Sequence, residues 1–329
     1  AISVTGLAFF GLDFVTKLGI GSALGVLTTV LIANSLLLAI LRLLGHKVDR
    51  LKVPFQVVRD YTIPGSVEAD TLVIAVSHSG GTEETIACYA EAGERGAKRL
   101  VITTGGELAE LAGRDGVPVV RYECAGQPRA ALPMVLGIWL QLLGTLGYVP
   151  DQSGSVEDAI SLLEDLTATV KSTEDNLGHT LAQAMVGKIP FVYGAGFLGE
   201  AARRTKGQIS ENANQTAAFE VLPEQNHNAL VGYEFPDGLG DKAMFVLLRS
   251  TLEHPRHTAR FEFVKELLDR RGLSYVEIPG SGEDKLSHLV SVVFWADLAS
   301  YDLAILNGVD PTPVDIIGEL KARLASTET

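Results

Sequence analysis

Leu72-Val73-Ile74-Ala75-Val76-Ser77-His78-Ser79-Gly80-Gly81-Thr82-Glu83-Glu84-Thr85 runs from five apolar residues through small and hydroxyl residues into acidic ones. Such a run predicts a buried strand feeding a helix through a glycine loop. At that junction the first helical amides lack intrahelical acceptors, and the macrodipole favours negative charge. Ser77, Ser79 and Thr82 supply three hydroxyls, while Gly80 and Gly81 let the main chain approach an anion. The lysine of a P-loop is missing, which argues against a nucleoside triphosphatase. A plain cap by Ser79 or Thr82 is the simpler alternative, with Glu83 and Glu84 favouring the first turn. Three hydroxyls and two glycines in one short loop exceed what a cap uses, so a phosphate-binding loop is expected, with His78 facing away from the anion.

Outward from this loop, short β-rich runs alternate with amphipathic stretches, the pattern of parallel βαβ units. Strands are expected at 71–76, 100–103 and 117–122, and helices at 82–96 and 107–114. A polar break at 150–154 precedes a helical pattern over 156–177, read as a connecting helix. The rhythm then restarts, with strands at 189–193, 217–221, 244–248 and 274–278 and helices at 199–208, 257–271 and 285–306. The expected fold is α/β: two tandem doubly wound, flavodoxin-like three-layer α/β/α domains with a parallel sheet in each. Residues 1–153 form the first and residues 154–329, including the connecting helix, the second. The 329 residues, 47% hydrophobic, suffice for two cores.

A net charge of -13 leaves no basic surface for counterion release, which excludes nucleic acid as an expected partner. Two cysteines, Cys88 and Cys124, are too few for a disulfide framework and suit a reducing cytoplasm. Residues 18–41 carry no charge and are long enough to cross a bilayer. Their glycines, threonines, Asn34 and Ser35 point instead to burial in a globular core, and no membrane association is expected. Residues 1–17 contain Asp13 and lack the basic front of a signal peptide.

A second polar concentration follows the strand expected at 189–193. Gly194-Ala195-Gly196 lacks the third glycine and the ribose-binding acid of a nicotinamide site. Lys206-Gly207-Gln208-Ile209-Ser210-Glu211-Asn212-Ala213-Asn214 and Pro223-Glu224-Gln225-Asn226-His227-Asn228 are dense in amide, carboxylate and imidazole. Moving a proton between neighbouring carbons of a sugar needs one base, and a carboxylate can serve through an enediol. Glu211 and Glu224 are the candidates. Opening a cyclic sugar suits histidine, here His227. On the residues alone, Glu211 as a solvated helix residue and His227 as a turn residue remain open.

Taken together, Ser77-x-Ser79-Gly80-x-Thr82-x-Glu84-Thr85, Glu211-Asn212-Ala213, Pro223-Glu224-x-Asn226-His227-Asn228 and Gly308-x-Asp310-Pro311 through Leu320-Lys321 resemble the bifunctional phosphoglucose/phosphomannose isomerases, which carry the sugar isomerase (SIS) fold twice. The resemblance covers about residues 55–324. It implies that Ser77, Ser79 and Thr82 hold the phosphate and that Glu211 shuttles a proton between C1 and C2. It also implies that His227, reaching across from a partner subunit of a homodimer, and Lys321 assist ring opening, while Arg129 steadies the enediolate. For Lys321 a dipole-complementing role, and for Arg129 a surface ion pair, are the simpler alternatives.

The family's Gly-x-Gly-Gly-Ser turn has its closest string in Gly19-Ile20-Gly21-Ser22-Ala23-Leu24-Gly25, which makes Ser22 a further phosphate candidate; Asn34-Ser35 has the better spacing and no glycine. Asn214 stands where the family carries a lysine, and Gly81 where it carries an asparagine. The expected activity is aldose–ketose isomerisation of glucose 6-phosphate and fructose 6-phosphate, leaving mannose 6-phosphate open as a second substrate. It needs no cofactor, and the chain shows no zinc-ligand spacing, so no metal is expected. A non-catalytic phosphosugar-binding regulator is the alternative.

Overall fold

The computed structural model describes residues 29–32, 55–124, 127–172 and 176–327. These fall into two compact units that part in sequence between Gln152 and Ser153. Each unit is built on a parallel sheet of its own.

The first sheet contains β1 (Thr29–Ile32), β2 (Phe55–Val58), β3 (Leu72–Ser77), β4 (Lys98–Thr103) and β5 (Val119–Arg121), in the order β2-β1-β3-β4-β5. β1 comes from the uncharged 18–41 stretch and is paired on both sides, Thr29 lying opposite Phe55 and Leu72. All six residues of β3 are buried, as a strand covered on both faces requires. Val73 packs with Val58, Cys88 and Ala92, and Ala75 with Tyr89, Leu108 and Ala112. That face is therefore covered by α1 (Glu83–Glu94) and α2 (Gly106–Asp115). Leu72 and Ile74, on the opposite face, are buried just as deeply. Full burial of each such side chain stabilises by roughly 1.5–3 kcal/mol. The unit closes with α3 (Leu132–Thr145).

The sheet order reverses between β1, whose chain leads to β2, and β3, whose chain leads to β4. Ligands of open α/β sheets sit outside the carboxyl ends of the strands at that reversal. The carboxyl end of β3 is Ser77.

The second unit begins with α4 (Ser153–Ser172) and α5 (Leu177–Met185). The single helix expected over 156–177 is thus corrected to two. Asn176 starts the second, its Oδ1 accepting from the His179 amide at 3.1 Å, and this cap outweighs the continuing apolar period. The sheet of β6 (Ile189–Ala195), β7 (Ala218–Leu222), β8 (Ala243–Arg249) and β9 (Tyr275–Pro279) has the order β7-β6-β8-β9. It repeats the order of β2, β1, β3 and β4.

One face, lined by Tyr193, Phe245 and Leu247, is covered by Phe261, Val264 and Leu268 of α7 (Pro255–Arg270). The Gly194 face receives α6 (Gly199–Asn212), so closely that a Cβ on Gly194 would stand 2.3 Å from the Leu198 carbonyl oxygen. α8 (Lys285–Leu306) is the one helix among the described residues long and apolar enough to cross a bilayer. It packs against α4, α5, α6 and β9 with Ser287, His288, Ser291 and Ser300 buried along it, as a core helix. α9 (Asp315–Ala325) follows and buries none of its residues.

Candidate active site

The loop after β3 is held from within. The buried Ser77 Oγ accepts from the Gly80 amide at 3.0 Å and lies 2.7 Å from Thr82 Oγ1; the exposed Ser79 accepts from the Gly81 amide at 3.2 Å. Thr82 is the N-cap residue of α1 in position, yet its side chain makes no capping bond, so it does not spend its hydroxyl on the helix. The first amides of α1 remain directed out of the helix end, where an anion would sit. Glu83 turns instead toward the Tyr61 hydroxyl, which donates to its Oε2 at 3.2 Å. His78 Nδ1 meets the Tyr122 hydroxyl at 3.1 Å, and burial pushes the imidazole below its usual pKa.

A neighbouring loop that the sequence reading passed over braces this one. Thr104 donates to the His78 carbonyl oxygen through its amide at 3.2 Å and its hydroxyl at 2.7 Å, and the Leu108 amide donates to the Gly80 oxygen at 2.8 Å. The two main chains cross so closely that a Cβ on Gly80, whose φ is +68°, would stand 1.8 Å from the Gly105 oxygen. Thr104-Gly105-Gly106 after the strand at 98–103 was the signal available in the sequence.

In the second unit the candidates divide between the two ends of the sheet. Glu211 is half-buried in the last turn of α6, which leads down to the start of β7. The same end is marked by Gln215, whose amide donates to the Lys188 oxygen at 2.7 Å just before β6. Glu224 and His227 are exposed in the turn beyond the far end of β7. Five strand residues at about 3.3 Å each put these ends on the order of 17 Å apart. One copy of this unit does not bring Glu211 and His227 together.

The turn carrying His227 is anchored by side chains outside the sequence-derived set. Gln225 is fully buried, its Nε2 donating to the Tyr233 hydroxyl at 2.8 Å, which lies 2.9 Å from the Tyr193 hydroxyl. Asn226 donates to Gln225 Oε1 at 2.7 Å and accepts from Arg260 at 2.9 Å. Gln225 and Asn226 thus face inward and leave Glu224 and His227 to solvent. Nothing in their spacing distinguished the two roles.

The second sheet's counterpart of the loop after β3 is the junction after β8. Ser250 Oγ accepts from the Leu252 amide at 3.0 Å, much as Ser77 does from Gly80. Here, however, a carboxylate of the chain itself, Glu253, is buried at 4% side-chain exposure against Arg249 at 3.2 Å and accepts from Thr258 Oγ1 at 3.1 Å. Burial pushes the Glu253 carboxyl up, with Arg249 opposing. This junction carries its own anion, whereas the loop after β3 does not.

Arg129 is half-buried in the short turn Pro128–Ala130, and Lys321 is exposed on α9. α9 departs from the end of α8 where Asn307 donates to the Ala213 oxygen at 3.1 Å, two residues past Glu211. Ser22 lies outside the described residues, and in sequence it precedes β1. Asn34 and Ser35 likewise lie outside the described residues.

The chain is 38% identical over 281 residues, 84% of its length and 83% of the relative's, to the bifunctional phosphoglucose/phosphomannose isomerase of Caldicellulosiruptor bescii. It belongs to the bifunctional phosphoglucose/phosphomannose isomerase family. A second member, from Aquifex aeolicus, is 35% identical over 82% of this chain and 81% of its own. The model of the bacterial phospho-glucose isomerase C-terminal SIS domain matches residues 174–324, most of the second unit. Among solved structures, tagatose-6-phosphate ketose/aldose isomerase from Escherichia coli aligns with a TM-score of 0.66 over 87% of this chain and 83% of its own, at 15% identity, a likeness of fold.

Proposed function

We propose that this protein interconverts glucose 6-phosphate and fructose 6-phosphate, with mannose 6-phosphate as a second aldose, as a cytoplasmic homodimer. What carries the reading is the 38% identity to a relative of that name, spread over most of the chain. The loop after β3 adds a physical reason, since its hydroxyls and helix amides suit a phosphate dianion.

In the proposed reaction the phosphate rests on Ser77, Ser79 and Thr82. His227 and Lys321 assist ring opening. The Glu211 carboxylate takes the proton from C2 of the open-chain aldose, and the C–H electron pair becomes the C1–C2 double bond of an enediolate. Arg129 steadies the charge that develops on oxygen, where a fixed cation lowers the barrier most. The hydroxyl proton passes from O2 to O1 and Glu211 returns its proton to C1, giving the ketose. Both C2-epimeric aldoses reach the same enediol, so acceptance of mannose 6-phosphate depends on freedom about the C2–C3 bond.

Because Glu211 and His227 lie at opposite ends of β7, the reading places the partner subunit's His227 beside each Glu211. Val231 and Phe235, 85% and 73% exposed near that turn, give it an apolar border suited to a partner surface.

The test follows glucose and mannose 6-phosphates separately from fructose 6-phosphate. Glu211→Gln should lose roughly 10²–10⁴-fold in turnover while still binding the substrate, and undiminished turnover would refute the assignment. Mixing Glu211→Gln with His227→Ala subunits should restore about a quarter of the wild-type rate, since half the dimers are hybrids with one intact site of two. No recovery from demonstrated hybrids would show that His227 acts within its own chain.

A further inference from the structure

Seven residues before Glu211, Arg204 forms a two-pronged ion pair with Asp297 of α8, through Nη1 to Oδ1 and through Nη2 to Oδ2 at 2.9 Å. Arg204 is 9% exposed, and Gln208, one turn on and 6% exposed, hydrogen-bonds the same carboxylate. After a further turn Asn212 Nδ2 donates to Ser300 Oγ at 2.8 Å, and the Ser300 hydroxyl donates to the Asp297 carbonyl oxygen at 2.7 Å. Beyond the helix end Asn307 Nδ2 donates to the Ala213 oxygen and, at 2.9 Å, to Gln215 Oε1. A polar seam therefore runs along α6 and α8 and ends around Glu211.

Stability alone does not account for it. With Asp297 35% exposed in its side chain, this part-buried arginine–carboxylate pair gains little net once desolvation and solvent screening are set against attraction, and apolar side chains hold two helices together at least as well. Directional bonds add something apolar packing lacks: they fix the rotation of α6 about its axis and its slide along α8. Seven residues fall about 20° short of two full turns, so Glu211 leaves α6 on nearly the same line as Arg204. Any rotation of the helix moves the carboxylate with it. The last turn, whose carbonyls have no intrahelical donors, is the part most in need of this hold.

We infer that the Arg204–Asp297 pair and the Asn212–Ser300 bond are positioning devices for the Glu211 carboxylate, which rests on the reading of Glu211 as the proton carrier. A proton shuttle needs this more than a binding residue does. It must reach C2, keep the proton from solvent, and reach C1 in turn.

The experiment is Asp297→Asn, which keeps the size of the side chain and removes its charge, assayed in light and heavy water. A displacement of about 1 Å at the reacting carbons costs on the order of 10²-fold. The expected result is a loss of that size in kcat, KM for fructose 6-phosphate unchanged, and a larger fraction of product carrying solvent deuterium. The deuterium rises because a misplaced carboxylate returns its proton more slowly than it exchanges. A purely structural role would lower the melting temperature and leave kcat per folded molecule and the deuterium fraction at wild-type values, which would overturn the inference. If Asp297→Asn does not fold, Ser300→Ala removes the acceptor of Asn212 in the last turn and is read by the same two quantities. Glu211→Gln in parallel separates the readings. If it turns over normally, the role of Glu211 falls; if it is inactive while Asp297→Asn behaves as wild type, only the positioning role falls.

Discussion

Gly80→Ala and Gly81→Ala, adjacent and chemically identical substitutions, should differ sharply. At Gly80 the backbone is left-handed, φ +68°, and the new methyl would stand 1.8 Å from the Gly105 oxygen, about 1.6 Å inside ordinary contact. The left-handed conformation costs an alanine roughly 1–2 kcal/mol. Pushing the two loops apart also breaks the Leu108 amide bond to Gly80 and both Thr104 bonds to His78, each worth about 0.5–1.5 kcal/mol net. Together the loss is about 3 kcal/mol or more. Gly81 has its nearest heavy atom 4.0 Å from the methyl position and no left-handed φ, so alanine there should be close to neutral. Urea denaturation reads the stability difference. Kinetics on fructose 6-phosphate read the loop: one misplaced charge-assisted phosphate contact, at about 1.5 kcal/mol or more, should raise KM on the order of tenfold for Gly80→Ala. Equal stability and KM for the two variants would refute the claim that the Gly80–Gly105 crossing shapes the candidate phosphate loop.

Gln225→Leu, which removes the buried amide joining Tyr233 to Asn226, should destabilise by about 1–3 kcal/mol. His227→Ala, at an exposed position, should change stability by less than about 0.5 kcal/mol and lower turnover instead; the reverse assignment of effects, read by denaturation and assay, would contradict the inward and outward roles given to the turn. Stability should also fall in alkali. Burial raises the Cys88 thiol from 9.0 to about 11, and raises the Tyr89 and Tyr233 phenols from 10.0 to about 12. The folded state therefore holds protons that the unfolded chain has lost. Stability is complete below pH 9.0 and declines as pH rises through 9.0 to about 11 for the thiol and 10.0 to about 12 for the phenols. A urea midpoint level to pH 11 would contradict this.

The strands from β3 onward were legible because parallel sheets buried on both faces write themselves as apolar runs, and Leu72 to Val76 is such a run; β2 and α3 were not expected. The 18–41 stretch was harder. Its length concealed β1, since a long uncharged stretch without a clear period does not mark out a four-residue strand. The 156–177 helix was overextended for a related reason: the apolar spacing continues across the cap at Asn176, and only the His179 amide bond reveals the restart.

At the site, chemistry was visible in sequence wherever it is local. Hydroxyls, glycines and a helix start within one loop mark a candidate anion site from covalent neighbours alone, because the amides and hydroxyls that would bind the anion belong to that same short segment. Long-range placement was not visible. That Thr104 and Gly105 brace the loop depends on β4 lying beside β3; that Gln225 is buried and His227 exposed depends on Tyr193 and Tyr233. Glu211 and His227 are sixteen residues apart in sequence, yet β7 runs between them and carries them to opposite ends of the sheet. Only the tertiary structure decides this, because hydrogen bonds between strands, and not chain proximity, set which ends of the elements meet.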